Sequence, residues 1–287
     1  MKNRRSFITG ISSTSLTTNE KKFLKKYKPW GIILFSRNIN STNQAKKLTD
    51  QIKIIFKDNN YPILIDQEGG RVNRLKKILS VDTLTGEYFG KLYNKNKKKF
   101  NFEYNEFVEN TSKILKLIGV NINTVPVLDL RVKGSSNIIG DRSFCTNPKI
   151  VSLIGNISIK KFHQKKIITV IKHIPGHGHA KVDSHKKTPI IKLKYDYLIK
   201  NDFGVFKNKQ SFIAMTAHII YQDIDPLNTV THSKKIIDLI RKNIKFKDIL
   251  ISDDISMKSL KHSIKLNCIK AFNAGCDLVL HCNGDYK

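Results

Sequence analysis

A chain of 287 residues, 40% of them hydrophobic, can bury a full core, and an α/β barrel of this size fills its whole length as one domain. Its 52 Lys and Arg against 23 Asp and Glu, a formal +29, raise nucleic-acid or anionic-surface binding as a class. The lysines, however, are spread through nearly every segment, with NKNKKK at 94–99 the one compact run, so a solvated basic surface is the simpler reading.

The opening MKNRRSFITGISS has twin arginines, but Thr9, Gly10, Ser12, Ser13 and Thr14 break the apolar stretch an export signal needs. It reads as a first short strand, residues 7–11. Further β-branched runs follow at 31–35 (GIILF), 62–66 (PILID), 125–128, 167–171 (IITVI), 212–216 (FIAMT), 249–252 (ILIS) and 278–281 (LVLH). Between them, 43–56, 107–118, 150–161 and 233–243 place apolar residues three and four apart, the helical spacing. No run of 18 apolar residues occurs, so no membrane span is expected. Cys145, Cys268, Cys276 and Cys282 form no CxxC pair, which suits reduced thiols in a cytoplasmic protein.

Strands alternating with amphipathic helices imply parallel connections, and eight of them point to an α/β fold of the (β/α)8 TIM-type barrel class. A dinucleotide-binding sheet is disfavoured, since no GxGxxG follows the first strand. Asp66, Asp129, Lys172, His173, His218 and Asp253 all fall at or just past the C-terminal end of an expected strand. In a barrel those ends converge on one mouth, the usual place for catalysis. Helix capping explains one such residue, not the whole series, so the pattern reads as an enzyme. The sequence stops six residues after its eighth strand, so the outer helix that would cover strands one and eight is not expected. An apolar strip should be exposed there unless the N-terminus, the 91–104 segment or self-association with a second copy covers it.

The segment KHIPGHGHAKVDSH, residues 172–185, holds four histidines, two glycines, one proline and one aspartate in fourteen residues. A metal cage built from His173, His177, His179, His185 and Asp183 is one reading, though no HExxH accompanies it. A mobile loop carrying an acid–base histidine is the other, since imidazole titrates near pH 6.5 and Gly176 and Gly178 would give the loop backbone freedom. The glycines of DQEGGR (66–71) lack the GxxxxGK[ST] spacing of a phosphate loop.

Together, WGIILFSRN (30–38), IDQEGGRVNR (65–74), GVNINTVPVLDL (119–130), GDRSF (140–144), KHIPGHGHAKVDSH (172–185), MTAHIIYQDIDP (215–226), SDDISM (252–257) and AGCDLVLHCN (274–283) resemble the bacterial β-N-acetylhexosaminidases of glycoside hydrolase family 3, the single-domain type that recycles cell-wall fragments. The resemblance implies a retaining mechanism in which Asp253 is the nucleophile and His185, with Asp183 beside it, is the acid/base. It also implies that Asp66, Arg74, Arg142, Lys172 and His173 bind the sugar. Asp254 is the rival nucleophile, separated from Asp253 only by the family register. The implied substrate is a small carbohydrate, an N-acetylglucosaminyl-anhydromuropeptide, with no cofactor, no metal, no specific nucleic acid and no membrane partner. Two alternatives stay open: a β-glycosidase or glucosaminide phosphorylase of the same family, and a non-catalytic nucleic-acid or anionic-surface binding protein on a degenerate barrel. The chain departs from the family pattern at 86–106, Asn- and Lys-rich where an Ala-rich helix is usual, and at NTVTH (228–232).

Overall fold

The computed structural model describes residues 3–184 and 187–285. Eight parallel strands close into a barrel: β1 (Arg5–Thr9), β2 (Pro29–Leu34), β3 (Ile63–Ile65), β4 (Ile122–Asn123), β5 (Ile168–Ile174), β7 (Ile213–Thr216), β9 (Ile249–Asp254) and β10 (Leu278–His281). The closing contact pairs β1 with β10, Phe7 opposite Val279 and Thr9 opposite His281. Two further strands, β6 (Ile190–Ile191) and β8 (Ile220–Tyr221), form a small parallel sheet outside it.

The barrel follows from period-2 side-chain direction on strands buried on both faces. One set, including Ile8, Ile33, Leu64, Ile122, Val170, Ile213, Ile251 and Leu280, packs into a compact cluster filling the interior. The alternate set, such as Ile32, Leu34, Ile63, Ile171 and Leu250, joins the outer cluster beneath the helices. Those helices are α1 (Thr18–Tyr27), α2 (Thr42–Phe56), α3 (Gly86–Lys95), α4 (Lys97–Leu117), α5 (Pro148–Gln164), α6 (Tyr195–Lys200), α7 (Asp202–Val205), α8 (Lys234–Leu239) and α9 (Ile264–Ala274). Their starts are set by side-chain caps. Thr17 and Glu20 make a capping box for α1, and Ser41, Asn147 and Ser263 cap α2, α5 and α9.

All eight expected strand regions lie in or beside the barrel, with one informative displacement. The apolar run at 125–128 lies just past the two-residue β4, and its contact with β5 is an isolated bridge from Val127 to Lys172. Pro126 has no N–H to continue a ladder, yet the run is buried, which is why it looks like a strand in sequence.

The Asn- and Lys-rich stretch at 86–106 is helical, forming α3 and the first half of α4. Its aromatic residues supply the missing core: Phe89 meets Tyr104 edge-on at 4.8 Å, and Phe100 stacks on Tyr104 at 5.3 Å. Helix α3 also lies flush against the 140–144 segment, since a Cβ on Gly90 would sit 1.7 Å from the Phe144 carbonyl oxygen. This segment therefore braces the loop that carries Arg142 and does not cover β1 and β10. Exposed apolar surface occurs on α9, where Ile264, Leu266, Ile269 and Phe272 face solvent.

Candidate functional site at the mouth of the barrel

In-register pairing brings the polar strand ends to one level. Lys172 on β5 is opposite Met215 on β7, which is opposite Ile251 on β9, two residues before Asp253. Asp66 directly follows β3, whose Ile65 pairs with Asn123. The resulting cavity, about 330 Å³ and lined by Asp66, Arg74, Lys172, His173 and Asp253 among others, has the size of a small-ligand pocket. Met215, Met257 and Leu280 give it an apolar wall.

Its charged floor is a buried network. Lys172, 2% exposed, donates to Asp66 at 3.2 Å and to the Thr124 hydroxyl at 2.8 Å, and pairs with Glu68 at 2.7 Å. Arg142 grips Glu68 through two bonds of 2.8 Å, the bidentate fork of a strong charge-assisted pair. Arg74 reaches Asp66 at 3.4 Å and lies over the Phe35 ring. Burial alone pushes the Asp66 carboxyl up, but Lys172, Arg74 and the Thr124 hydroxyl outweigh it and bring it from its ordinary 3.8 to about 2. Burial likewise opposes ionisation of Glu68, and Arg142 and Lys172 overcome it, holding that carboxyl far below its usual range.

Asp129, fully buried, organises the next layer. It accepts the ring Nδ1 of His173 at 2.7 Å and the backbone N–H groups of His173 at 3.2 Å and His177 at 2.7 Å. Despite burial its carboxyl is lowered, chiefly by His173. With Nδ1 turned to Asp129, His173 presents its other edge to the cavity it lines. His177 is pushed down to about 4, first by burial and then by His173, and its Nε2 meets the Ser184 hydroxyl at 3.2 Å.

Asp253 and Asp254 both line the cavity, but their carboxylates are occupied differently. Asp254 accepts from the Ser256 N–H at 3.1 Å, the Ser256 hydroxyl at 2.8 Å and the Cys282 N–H at 3.3 Å, which fixes it to the loop after β9. Asp253 accepts the neighbouring N–H of Asp254 at 2.7 Å. Burial raises Asp253, yet His218, His173, that N–H and Lys172 together lower it, so it stays ionised. His218 is buried between the Thr231 hydroxyl (2.7 Å) and the Asp254 carbonyl oxygen (3.0 Å), a brace for the β9 end.

Six of the expected residues are thus brought together: Asp66, Arg74, Arg142, Lys172, His173 and Asp253. Asp183 is partly exposed and does not line the cavity, although its neighbour Ser184 does. His185 lies outside the described residues. Gly176 is at φ +142°, a backbone conformation that favours glycine. Gly178 is there for a different reason: a Cβ would sit 2.2 Å from the Leu130 carbonyl oxygen, so it permits close packing. Among the described residues no three or more His, Cys, Asp or Glu are placed to hold a metal ion, and His185, one member of the cage reading, lies outside them. His173, His177 and His179 turn to Asp129, Ser184 and Asp202 respectively.

Glu68, which lines the cavity and pairs with Arg142 and Lys172, is the member of this network that the sequence reading passed over. It is a carboxylate three residues past a strand end, but it stands beside the glycine pair weighed only against a phosphate loop, and Arg142 is 74 residues away.

Residues 8–287 match the Glycosyl hydrolase family 3 N terminal domain. The chain is 33% identical over 285 residues to a β-hexosaminidase of Nitrosomonas eutropha, covering 95% of this chain and 79% of that one. It is 31% identical over 286 residues to a β-hexosaminidase of Hydrogenovibrio crunogenus, covering 96% and 78%. Among solved structures it superposes with a TM-score of 0.88 on NagZ of Neisseria gonorrhoeae in complex with N-trifluoroacetyl-D-glucosamine, at 29% identity, covering 98% of this chain and 82% of that one. Among the described residues no helix is long and apolar enough to cross a membrane.

Proposed function

This chain belongs to glycosyl hydrolase family 3, and from that premise we propose that it is an exo-acting, retaining β-N-acetylhexosaminidase working as a single catalytic barrel domain. The observation that carries the reading is the cavity in which an ionised, loosely tied carboxylate, Asp253, faces the Asp66–Lys172–Arg74 cluster and the free edge of His173. Charged donors and acceptors at fixed spacing suit the hydroxyls of one sugar ring, and the apolar wall suits an acetamido methyl.

In the first step Asp253 attacks the anomeric carbon. The bond to the aglycone oxygen breaks while the carboxylate–carbon bond forms, and the departing oxygen takes the proton of His185. His185, now neutral, removes a proton from water. The hydroxide equivalent attacks the anomeric carbon and frees Asp253, so the configuration is retained. Asp183 orients the histidine. His185 and Asp183 take these roles by likeness of the DSH triplet to the family. Asp66 and Lys172 hold sugar hydroxyls, with Arg74 beside them. Arg142 serves chiefly by fixing Glu68 and Lys172.

The substrate is a terminal β-linked N-acetylglucosamine, as carried by anhydromuropeptides of wall turnover, and the compartment is the cytoplasm. Four cysteines without a disulfide agree with the latter. Release of 4-nitrophenol from its β-N-acetylglucosaminide tests the reading, with wild type, Asp253→Ala and His185→Ala in parallel and with phosphate and a chelator varied. Turnover lost in both variants, and indifferent to both additives, supports the hydrolase. Acceleration by phosphate with appearance of a sugar 1-phosphate would replace it with a phosphorylase.

A further inference from the structure

The loop that leaves β5 at residue 175 and returns at β6 is seated on a surface made by α7 and Tyr221. At its root the Gly176 N–H donates to the His173 carbonyl at 2.7 Å, and the Tyr221 hydroxyl donates to the Gly176 carbonyl. A Cβ on Gly176 would lie 3.0 Å from the Asp202 side chain, so Asp202, the first residue of α7, is packed against this root. The second point of attachment is His179, whose Nε2 is 3.3 Å from Asp202 Oδ2.

Asp202 is 2% exposed, and its Oδ2 makes no hydrogen bond. A carboxylate so placed needs a nearby cation or donor, because burying it uncompensated is strongly unfavourable. Among the described residues, His179 is the basic side chain within ion-pair distance of it. The imidazole Nε2 is itself buried without a hydrogen bond, and its ring packs edge-on against Tyr197 of α6 at 5.9 Å. The next residue, Ala180, accepts the Ser136 N–H at 2.7 Å, tying this stretch to the loop that carries Arg142.

We infer that the His179–Asp202 pair is a positioning clamp that seats the loop carrying Asp183 on α7, four residues before the catalytic Asp-Ser-His triplet begins. Neither residue touches the sugar; both act through the loop. The inference rests on the hydrolase reading for its consequence in catalysis, but its structural content is separate from it.

The test uses His179→Phe, which keeps a ring against Tyr197, Asp202→Asn, which keeps shape, and the double variant. Two readouts are needed. Hydrogen exchange reports the seat directly: the Ala180 amide, bonded to the His177 carbonyl at 3.1 Å, should accelerate in each variant by about tenfold more than the barrel-strand amides do. Kinetics reports its use. On N,N′-diacetylchitobiose, whose leaving group needs a proton, kcat should fall roughly tenfold with KM within about twofold. On a 2,4-dinitrophenyl glycoside, which needs none, it should change little. The double variant should lose no more than either single one.

Unchanged exchange at Ala180 in both single variants overturns the clamp, whatever the activity. So does equal loss on both substrates, or additive loss in the double variant. An inactive wild type with accelerated exchange in the variants would sink the hydrolase reading and leave the clamp standing.

Discussion

Replacing Glu68 by Gln should damage both stability and sugar binding. The floor of the cavity holds two carboxylates, Asp66 and Glu68, against three cations, Arg74, Arg142 and Lys172. Removing one carboxylate leaves a single negative charge among the three. Lys172 keeps Asp66 and the Thr124 hydroxyl, but Arg142 keeps, besides its 3.1 Å bond to the Ile138 carbonyl, only the one uncharged bond that the Gln oxygen can accept. Its side chain is 12% exposed, so water cannot take the place of Glu68. The new amide also turns a donor toward groups that are all donors. Breaking a buried ion pair from one side costs about 3–5 kcal/mol. With Tm moving by about 2 °C per kcal/mol at this size, the midpoint should drop by roughly 6–10 °C. Calorimetry on wild type and variant reads this directly, and initial rates on a 4-nitrophenyl glycoside should show KM raised about tenfold or more as the charge that fixes Arg142 and helps hold Lys172 is lost. A midpoint within about 2 °C of wild type, with KM unchanged, would refute the view that Glu68 holds the site together.

Acidification should destabilise the fold well above the carboxylate range. His177 is held neutral at about 4 against an ordinary 6.5, so the unfolded chain binds the proton first. Its contribution is complete above pH 6.5 and is lost as pH falls from 6.5 toward 4, about 3 kcal/mol by the end. Tm should decline across that window, and His177→Gln should flatten the decline. A second loss, from Asp66, belongs between its unfolded value near 3.8 and its folded value of about 2. Gly178→Ala should cost about 1–3 kcal/mol because its methyl group meets the Leu130 carbonyl oxygen; equal denaturation midpoints would show that the loop yields freely there. Ile33→Ala, which opens a hole among fully buried barrel residues, should cost about 2–5 kcal/mol in urea titration.

The barrel was legible in sequence because strands buried on both faces read as continuous β-branched runs. The mouth was legible because polar residues stand at their ends. Boundaries failed where burial and pairing part company: 125–128 is apolar and buried, but Pro126 cannot extend the ladder, so β4 stops at Asn123. The helices at 86–106 were obscured by lysines and asparagines on their solvent side, while the aromatic residues that hold them meet across two helices. Strand-end position was sufficient to find Asp66, Lys172, His173 and Asp253. Arg74 and Arg142 needed the family resemblance, since nothing local shows that distant loops fold back over the mouth. Choosing between Asp253 and Asp254 also needed it; the bonds that tie Asp254 to Ser256 and Cys282 are seen only in three dimensions. The Glu68–Arg142 pair and the His179–Asp202 contact are visible only once the chain is folded, because the partners lie far apart in sequence.

Trapping the covalent glycosyl-enzyme tests the central assignment most directly. The protein is incubated with 5-fluoro-N-acetylglucosaminyl fluoride, and the intact mass and peptic peptides are read by mass spectrometry. One fluoroglycosyl adduct per chain on Asp253, absent in Asp253→Ala and unaffected by chelator, is the predicted result. An adduct on Asp254, or turnover retained in Asp253→Ala, would contradict it.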